Sequence, residues 1–242
     1  MEEDRVMLFL FALWVYAQSA FSVEGNTMKQ SINVKKVVLL AMLAAVSYLI
    51  VTLVRIPVVL FLKYEPKDVI ITISGFLLGP MASFVISLVV SLLEMVTISE
   101  TGPIGGLMNL LSTCSFACVA AFIYKRDRSL KGAILGLVTG SAVMIGAMLL
   151  WNWLITPWYM NVSRQEVQAL LIPAFLPFNA LKAGFNTALV LGLYKPLTTA
   201  LRKTGLIPPQ EERHSSKPGL YMTAAILLIT CILLTLALQG KI

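Results

Sequence analysis

The sequence has few charged residues and few of the residue types on which catalysis usually depends. Of its 242 residues, 13% are charged and 58% are hydrophobic, whereas about a quarter of a soluble domain is charged. Its one histidine, His214, lies in a polar segment. The chain contains no GxxxxGK[ST], HExxH or GxSxG motif, which excludes a P-loop, a zincin helix and a nucleophile elbow. The composition therefore indicates an integral membrane protein, and no catalytic residue is predicted.

Cysteines are also scarce, and the three that occur all lie in apolar runs. Cys114 and Cys118 are one helical turn apart, a spacing that a metal site could use. Because no histidine accompanies them, ordinary helix packing is favoured and no metal site is predicted. The chain carries a net charge of +7. In a membrane protein such a charge usually comes from cytoplasmic loops that face anionic lipid, so no nucleic-acid partner is expected.

Long apolar runs dominate what is present. A membrane-spanning helix needs about 20 apolar residues, and the runs lie at 6–22, 34–54, 66–78, 80–98, 104–124, 130–154, 170–195 and 219–239. The third run is short, and Gly79-Pro80 predicts a tight turn between it and the fourth. The pattern predicts an all-α integral membrane protein with a six-helix transmembrane core at residues 28–204.

Two segments lie outside this predicted core. Residues 1–27 start with the acidic MEEDR, whereas a secretory signal starts with basic residues. We expect them to be an extension, either an additional span or the product of a misassigned start, because Met28 opens a more usual beginning. Residues 205–218 are predicted to be a polar hinge, and residues 219–239 an extra C-terminal transmembrane helix.

Lysine and arginine predict the orientation. The segment KRDRSLK at 125–131 carries four positive charges and one negative charge, which places it in the cytoplasm by the positive-inside rule. The loops at 55–65, 99–103 and 155–168 then lie outside, and the protein is a multi-pass protein of the cell membrane. Arg55, Lys63 and Lys67 run against this rule.

The most informative polar stretch is PFNALKAGFN at 177–186. Asn179, Lys182 and Asn186 fall on one face of a helix, and Phe175 lies a turn earlier on the same face. Ionisable residues within a membrane segment are costly and suggest function. A polar pocket is one interpretation of Lys182, and snorkelling of its ammonium to the interface is the other.

The sequence singles out three further polar residues. Glu94 forms an ion pair or faces a pore, or else it is exposed at the interface. Asn152, between two tryptophans, belongs to an aromatic belt or contacts a ligand. Asp68 lies near the first turn of a predicted helix, where a role as a cap that complements the helix dipole is favoured.

Two longer segments are similar to those of a known family. FLKYEPKDVIITISGFLLGP at 61–80 and SLLEMVTISETGPIGGLMNLLST at 91–113 resemble the substrate-binding S component of an energy-coupling factor (ECF) vitamin transporter, and most of all its riboflavin-specific branch. The resemblance covers residues 29–203, and the six-helix layout agrees with it.

The resemblance implies a high-affinity binding subunit of an ATP-driven importer, with riboflavin as the transported ligand, no cofactor and no enzymatic activity. Its Asn-x-x-Lys pair matches Asn179 and Lys182, and Asn152 matches a further amide that contacts the flavin. The predicted ligand-binding set also includes Phe175, Phe178 and Glu94. Ala41 and Ala45 match the small residues that dock on a transmembrane coupling protein, which works with two ATPase subunits.

Three alternatives remain open at this point. The ligand of the S component could be another vitamin, such as pantothenate or pyridoxine. A proton-coupled small-molecule carrier could use Glu94 and Lys182 as titrating groups. An intramembrane enzyme is disfavoured, because no nucleophile–base set is visible in the sequence.

Overall fold

The computed structural model describes residues 34–59, 62–98, 102–203 and 218–238. The chain divides into two compact units, Met1–Val37 and Val38–Ile242. The first unit is described only at residues 34–37, which are helical. The predicted extension at residues 1–27 lies outside the described residues, as does most of the predicted hinge.

The described part of the chain is almost entirely helical. Its elements are α1 (Val34–Leu53), β1 (Ile56–Val59), β2 (Leu62–Tyr64), α2 (Lys67–Leu78), α3 (Pro80–Thr97), α4 (Gly102–Arg126), α5 (Leu130–Met160), α6 (Arg164–Leu170), a π-helical turn (Leu171–Phe175), α7 (Leu176–Lys203) and α8 (Pro218–Leu238). Five helical segments between residues 34 and 197 are long and apolar enough to cross a membrane. With the short α2 they form the six-helix core, so the predicted fold class is confirmed.

The turn between α2 and α3 depends on Gly79. Its backbone has φ 100°, a conformation that residues other than glycine rarely adopt. Its N–H donates to the Gly75 carbonyl, and Pro80 begins the next helix, where a missing N–H leaves no donor unpaired. The tight turn predicted from Gly79-Pro80 is confirmed.

Two predicted loops have more structure than expected. The segment 55–65 contains an antiparallel hairpin in which Ile56 faces Tyr64 and Val59 faces Leu62. The segment 155–168 is mostly helical, because α5 continues to Met160 and α6 starts at Arg164. The interpretation of 155–168 as a loop was therefore wrong. Asn161 reverses the chain in the left-handed conformation, which asparagine tolerates.

The predicted span at 170–195 belongs to a longer helical segment with a π turn. Pro173 lies in that turn and Pro177 just after it, and neither has an N–H for the regular i→i−4 ladder. Widening of one turn is a usual response to such a gap. The π turn leads directly into the part of α7 that carries Asn179 and Lys182.

Helix α8 occurs where the extra C-terminal helix was predicted. It packs on α7 at Gly184, where an added Cβ would lie 2.7 Å from the Cys231 sulfur. Cys231 also joins an apolar cluster with Tyr64 of the hairpin and Phe178 of α7. This helix therefore covers the α7 face that lies beside the hairpin.

Glycines let α4 and α5 approach closely, as small residues do in membrane helix pairs. A Cβ on Gly136 would lie 2.6 Å from the Ala120 carbonyl oxygen, and one on Gly140 would lie 2.6 Å from that of Phe116. The largest apolar cluster forms around this contact and includes Phe116 and Leu137.

We predict that Gly140→Ala destabilises the bundle by about 1–3 kcal/mol, because the added methyl group forces the α4 and α5 backbones apart. Gly146→Ala, on the same helix with no atom within 4 Å of the added Cβ, is the matched control and should not destabilise the protein, because alanine is favoured over glycine within a helix. Thermal unfolding of the purified variants in detergent measures both. Equal unfolding temperatures would show that the α4–α5 contact adjusts freely.

Candidate ligand-binding site

One cavity collects most of the polar residues that the sequence singled out. It lies between the hairpin and helices α3, α4, α5 and α7, and its lining includes Glu94, Asn152, Phe178, Asn179 and Lys182. Leu62, Met108 and Met148 supply apolar surface, and Gly105 and Gly106 leave backbone exposed to the cavity. An apolar cavity with a few convergent polar groups is the usual form of a small-molecule site.

The cavity lies at the end of the bundle opposite the basic 125–131 segment. Its lining comes from the first half of α4 and the last half of α5, while the 125–131 segment joins the other ends of these two helices. By the positive-inside rule this end faces the outside.

The three predicted amide and ammonium groups are all buried beside the cavity. Asn152 donates from Nδ2 to the Met148 carbonyl at 2.7 Å and accepts from the Thr156 hydroxyl at 3.0 Å. Asn179 donates from Nδ2 to the Phe175 carbonyl at 2.8 Å. These bonds fix the orientation of each amide, since the Nδ2 group is engaged with the preceding turn of its own helix.

Lys182 is not a snorkelling lysine. It is only 6% exposed, its Nζ lies 3.1 Å from Asp68 Oδ2, and it donates to the Ser112 hydroxyl at 3.0 Å. A buried ammonium needs such partners, because burying an unpaired charge is very unfavourable. The polar-pocket interpretation of Lys182 is the one that its surroundings match.

Asp68 is the partner that sequence reasoning missed. It is fully buried, and its Oδ1 accepts from the Thr113 hydroxyl at 2.7 Å. Its Oδ2 accepts from Asn186 Nδ2 at 3.4 Å in addition to pairing with Lys182. The expectation that Asp68 caps α2 was wrong, because no side-chain hydrogen bond caps this helix and the carboxylate turns inward.

Tyr64 connects the hairpin to this cluster. Its hydroxyl donates to Asn186 Oδ1 at 3.0 Å, and its ring lies 5.0 Å from the Phe185 ring. Burial raises the pKa of the Tyr64 hydroxyl, and the nearby Asp68 and Cys231 raise it further. The hydroxyl therefore stays protonated and remains a donor.

A second group of buried charges lies beside the first. Lys67 Nζ donates to both carboxylate oxygens of Glu94 and lies 2.9 Å from Glu65 Oε2. Glu65 in turn pairs with Arg55 at 3.3 Å, and Asn109 Nδ2 donates to Glu94 at 2.9 Å. Glu94 is 1% exposed, so its interpretation as an interfacial carboxylate was wrong and the ion-pair interpretation is confirmed.

This arrangement explains two of the exceptions to the positive-inside rule. Lys67 and Arg55 are held by buried carboxylates instead of facing the aqueous phase as free charges. The available sequence signal was the KYEPKD segment itself, in which charges continue into an apolar run.

Phe175 is placed differently from the other predicted residues. It is buried in the apolar cluster with Phe178 and Leu181, and the cavity lining includes Phe178 but not Phe175. Phe175 therefore belongs to the apolar packing behind the residues that line the cavity. Within the described part of the chain no group of three or more potential metal ligands is found.

A membrane bundle with these features, namely an externally facing cavity, two fixed amides and a paired ammonium, defines a membrane-embedded receptor for a small molecule. The sequence model of the family described as "ECF transporter, substrate-specific component" matches residues 35–194, more than half of the chain. The chain belongs to this family, whose members are transporter subunits and not enzymes. It is accordingly a multi-pass membrane protein, and its family works with an ECF module made of a coupling protein and ATPases.

Individual relatives agree with this assignment. The riboflavin transporter RibU of Staphylococcus aureus is 26% identical over 178 residues, covering 70% of this chain and 93% of the relative. The riboflavin transporter FmnP of Bacillus subtilis is 26% identical, covering 62% and 85%. A solved structure described as the S component of a bacterial ECF transporter matches with a TM-score of 0.59 and 28% identity, covering 69% of this chain and 98% of that one.

We predict that Lys67→Met strongly destabilises the protein, because it leaves Glu94 buried without its cation. Breaking a buried ion pair from one side typically costs about 3–5 kcal/mol. Lys131→Met, at an exposed position of α5, is the control and should be neutral. Thermal unfolding in detergent measures the difference, and an unchanged unfolding temperature for Lys67→Met would mean that Glu94 does not depend on this lysine.

Proposed function

We propose that the chain is the riboflavin-binding subunit of an ECF importer. The observation that carries the proposal is the convergence of Asn152, Asn179 and Lys182 on one cavity. Relatives named riboflavin transporters, from Staphylococcus aureus, Bacillus subtilis and Streptococcus thermophilus, support the choice of ligand.

The chemistry of these groups suits a flavin ring. The pyrimidine edge of riboflavin presents carbonyl acceptors on either side of one N–H donor, and an amide can both donate and accept. An ammonium adds a charge-assisted bond to a carbonyl. Phe178, Met108 and Met148 offer apolar surface to the fused rings. Riboflavin would be the cargo, and the proposal includes no resident cofactor.

Other vitamins are less well supported. Pantothenate carries a carboxylate, which would need an unpaired cation, whereas Lys182 is already matched by Asp68. The three relatives above are riboflavin transporters, and they offer no support for pyridoxine.

A proton-coupled carrier is also disfavoured. Such a carrier needs a carboxylate or an amine that gains and loses its proton during transport. Glu94 is held by Lys67 and Lys182 by Asp68, so neither group stands alone in the cavity wall as a proton acceptor or donor. Uptake abolished by an uncoupler in cells that lack the ATPases would favour the carrier over the importer.

The energy for transport would come from the partners. The proposal assigns two ATPase subunits and one coupling protein to the complex, and it assigns Ala41 and Ala45 to the contact with the coupling protein. Both alanines are exposed on α1. Small residues four apart allow a partner helix to approach closely.

We predict that Lys182→Met weakens riboflavin binding about ten- to a hundredfold, since losing one partner of a buried polar contact costs about 1–3 kcal/mol, and each 1.4 kcal/mol is about tenfold in affinity. Methionine retains most of the apolar stem, but it also leaves Asp68 without its cation, so the unfolding temperature of the variant is measured beside its affinity. Quenching of flavin fluorescence on titration measures the affinity. Lys131→Met is the control, and unchanged affinity in folded Lys182→Met protein would remove this lysine from the ligand contact.

We also predict that Ala45→Leu stops uptake in cells while riboflavin affinity of the purified subunit stays near that of the parent. The larger side chain would hold the partner helix away from α1. Ala142→Leu, at an exposed alanine of α5, is the control and should retain both activities. A parallel loss of binding and uptake in Ala45→Leu would instead assign this face to packing within the subunit.

A further inference from the structure

Asp68 occupies a special position relative to the candidate site. It does not line the cavity, but it is completely buried directly behind Lys182, which does. Three residues from two other helices hold its carboxylate, which α2 carries. Thr113 of α4 donates to Oδ1, and Lys182 and Asn186 of α7 bind Oδ2. Tyr64 of the hairpin orients Asn186 in turn.

The contacts of Lys182 leave one donor for a ligand. An ammonium has three N–H donors, and the described contacts engage two of them, with Asp68 and Ser112. Since Ser112 also lines the cavity, the ammonium is held at the wall in a defined position instead of being free to move along it.

Charge balance is the second feature of this region. The described ion pairs involve three cations and three anions: Arg55, Lys67 and Lys182 with Glu65, Glu94 and Asp68. Lys182 has no carboxylate other than Asp68 among these pairs. Removing the charge of Asp68 would therefore leave one uncompensated buried cation directly at the ligand.

We propose that Asp68 is the positioning residue of Lys182 and its internal counter-ion, and that it makes the site select the neutral form of the flavin over its anion. This proposal rests on the proposed riboflavin-binding function. A flavin loses the N3 proton of its pyrimidine edge only in alkaline solution. A neutral Lys182–Asp68 pair offers that edge a hydrogen bond without a net charge, whereas an unpaired ammonium would stabilise the N3 anion.

The other titratable groups around the Lys182–Asp68 pair do not supply the negative charge that Asp68 supplies. The titratable neighbours are Lys67 on α2, Tyr64 on β2, Glu94 on α3 and Cys114 on α4. Tyr64 is a neutral donor, and Glu94 is bound by Lys67. Lys63, which also lines the cavity, is itself a cation, so it cannot replace the negative charge of Asp68.

The test is a double-mutant cycle on the purified full-length protein, with riboflavin as the probe. The variants are Asp68→Asn, Lys182→Met and the two combined, and each is titrated with riboflavin across a pH series. The absorption spectrum of the bound flavin reports its N3 proton. Asparagine keeps the size of the side chain and an oxygen for Thr113, so it removes mainly the charge.

We expect Asp68→Asn to weaken binding at neutral pH by at least about tenfold. Its bound flavin should lose the N3 proton at a lower pH than in the parent, because a positive environment favours the anion. The combined variant should bind no more weakly than Lys182→Met alone and should show no shift in N3 ionisation. A purely structural role for Asp68 would move affinity without moving that ionisation.

Three results would overturn the assignment. They are parent-like affinity in folded Asp68→Asn protein, an unshifted N3 ionisation in that variant, and additive losses in the combined variant.

If Asp68→Asn alone fails to fold while the combined variant folds, the counter-ion role is supported, because the unpaired ammonium is then the cause. If neither folds, Asp68 is needed independently of Lys182 and the proposal fails. A parent protein that binds no riboflavin would instead overturn the proposed function, and this assignment with it.

Discussion

The buried pairing of Lys182 with Asp68 is the constraint around which the outer half of the protein is arranged. A charge inside a membrane bundle is tolerated only when an opposite charge and hydrogen bonds satisfy it. Meeting that condition brings α2, α4, α7 and the hairpin to one point, because each supplies a partner. In the second cluster the buried Lys67 pairs with Glu94, which brings α3 to the same region for the same reason. The cavity is the space left between these two satisfied clusters.

Sequence reasoning identified the helices and selected residues on one side of the candidate site, because both depend on local patterns. Apolar runs fix the helices, and the spacing of Asn179 and Lys182 puts them on one face. The partner Asp68 lies 114 positions away in the sequence, and nothing local indicates that contact. Its position near a helix start satisfied a simpler local rule, capping of the dipole, and that rule gave the wrong role.

The hairpin and the π turn were missed for a related reason. The strands are very short, and β1 contains a proline, so no alternation in the sequence marks them. The π turn arises from the combined effect of two prolines on one helical ladder, where the sequence suggested only a continuous apolar run. Both features help to position polar side chains: the hairpin carries Tyr64, and the π turn comes just before the part of α7 that carries Asn179. The site therefore depends on irregular structure that hydrophobic periodicity does not describe.

Charge balance also bears on how such a receptor would work within a membrane. Moving one elementary charge across a potential of 100 mV changes its free energy by about 2.3 kcal/mol. Riboflavin is neutral, and the ion pairs found among the described residues beside the cavity contain three cations and three anions. For the proposed ligand, occupancy of the cavity then adds no charge to the membrane-embedded region. Affinity must instead come from the shape of the cavity and from the fixed directions of its amides and ammonium, so release requires a change in their geometry. That dependence on geometry accords with a subunit whose transport is driven by partner proteins and not by the membrane potential.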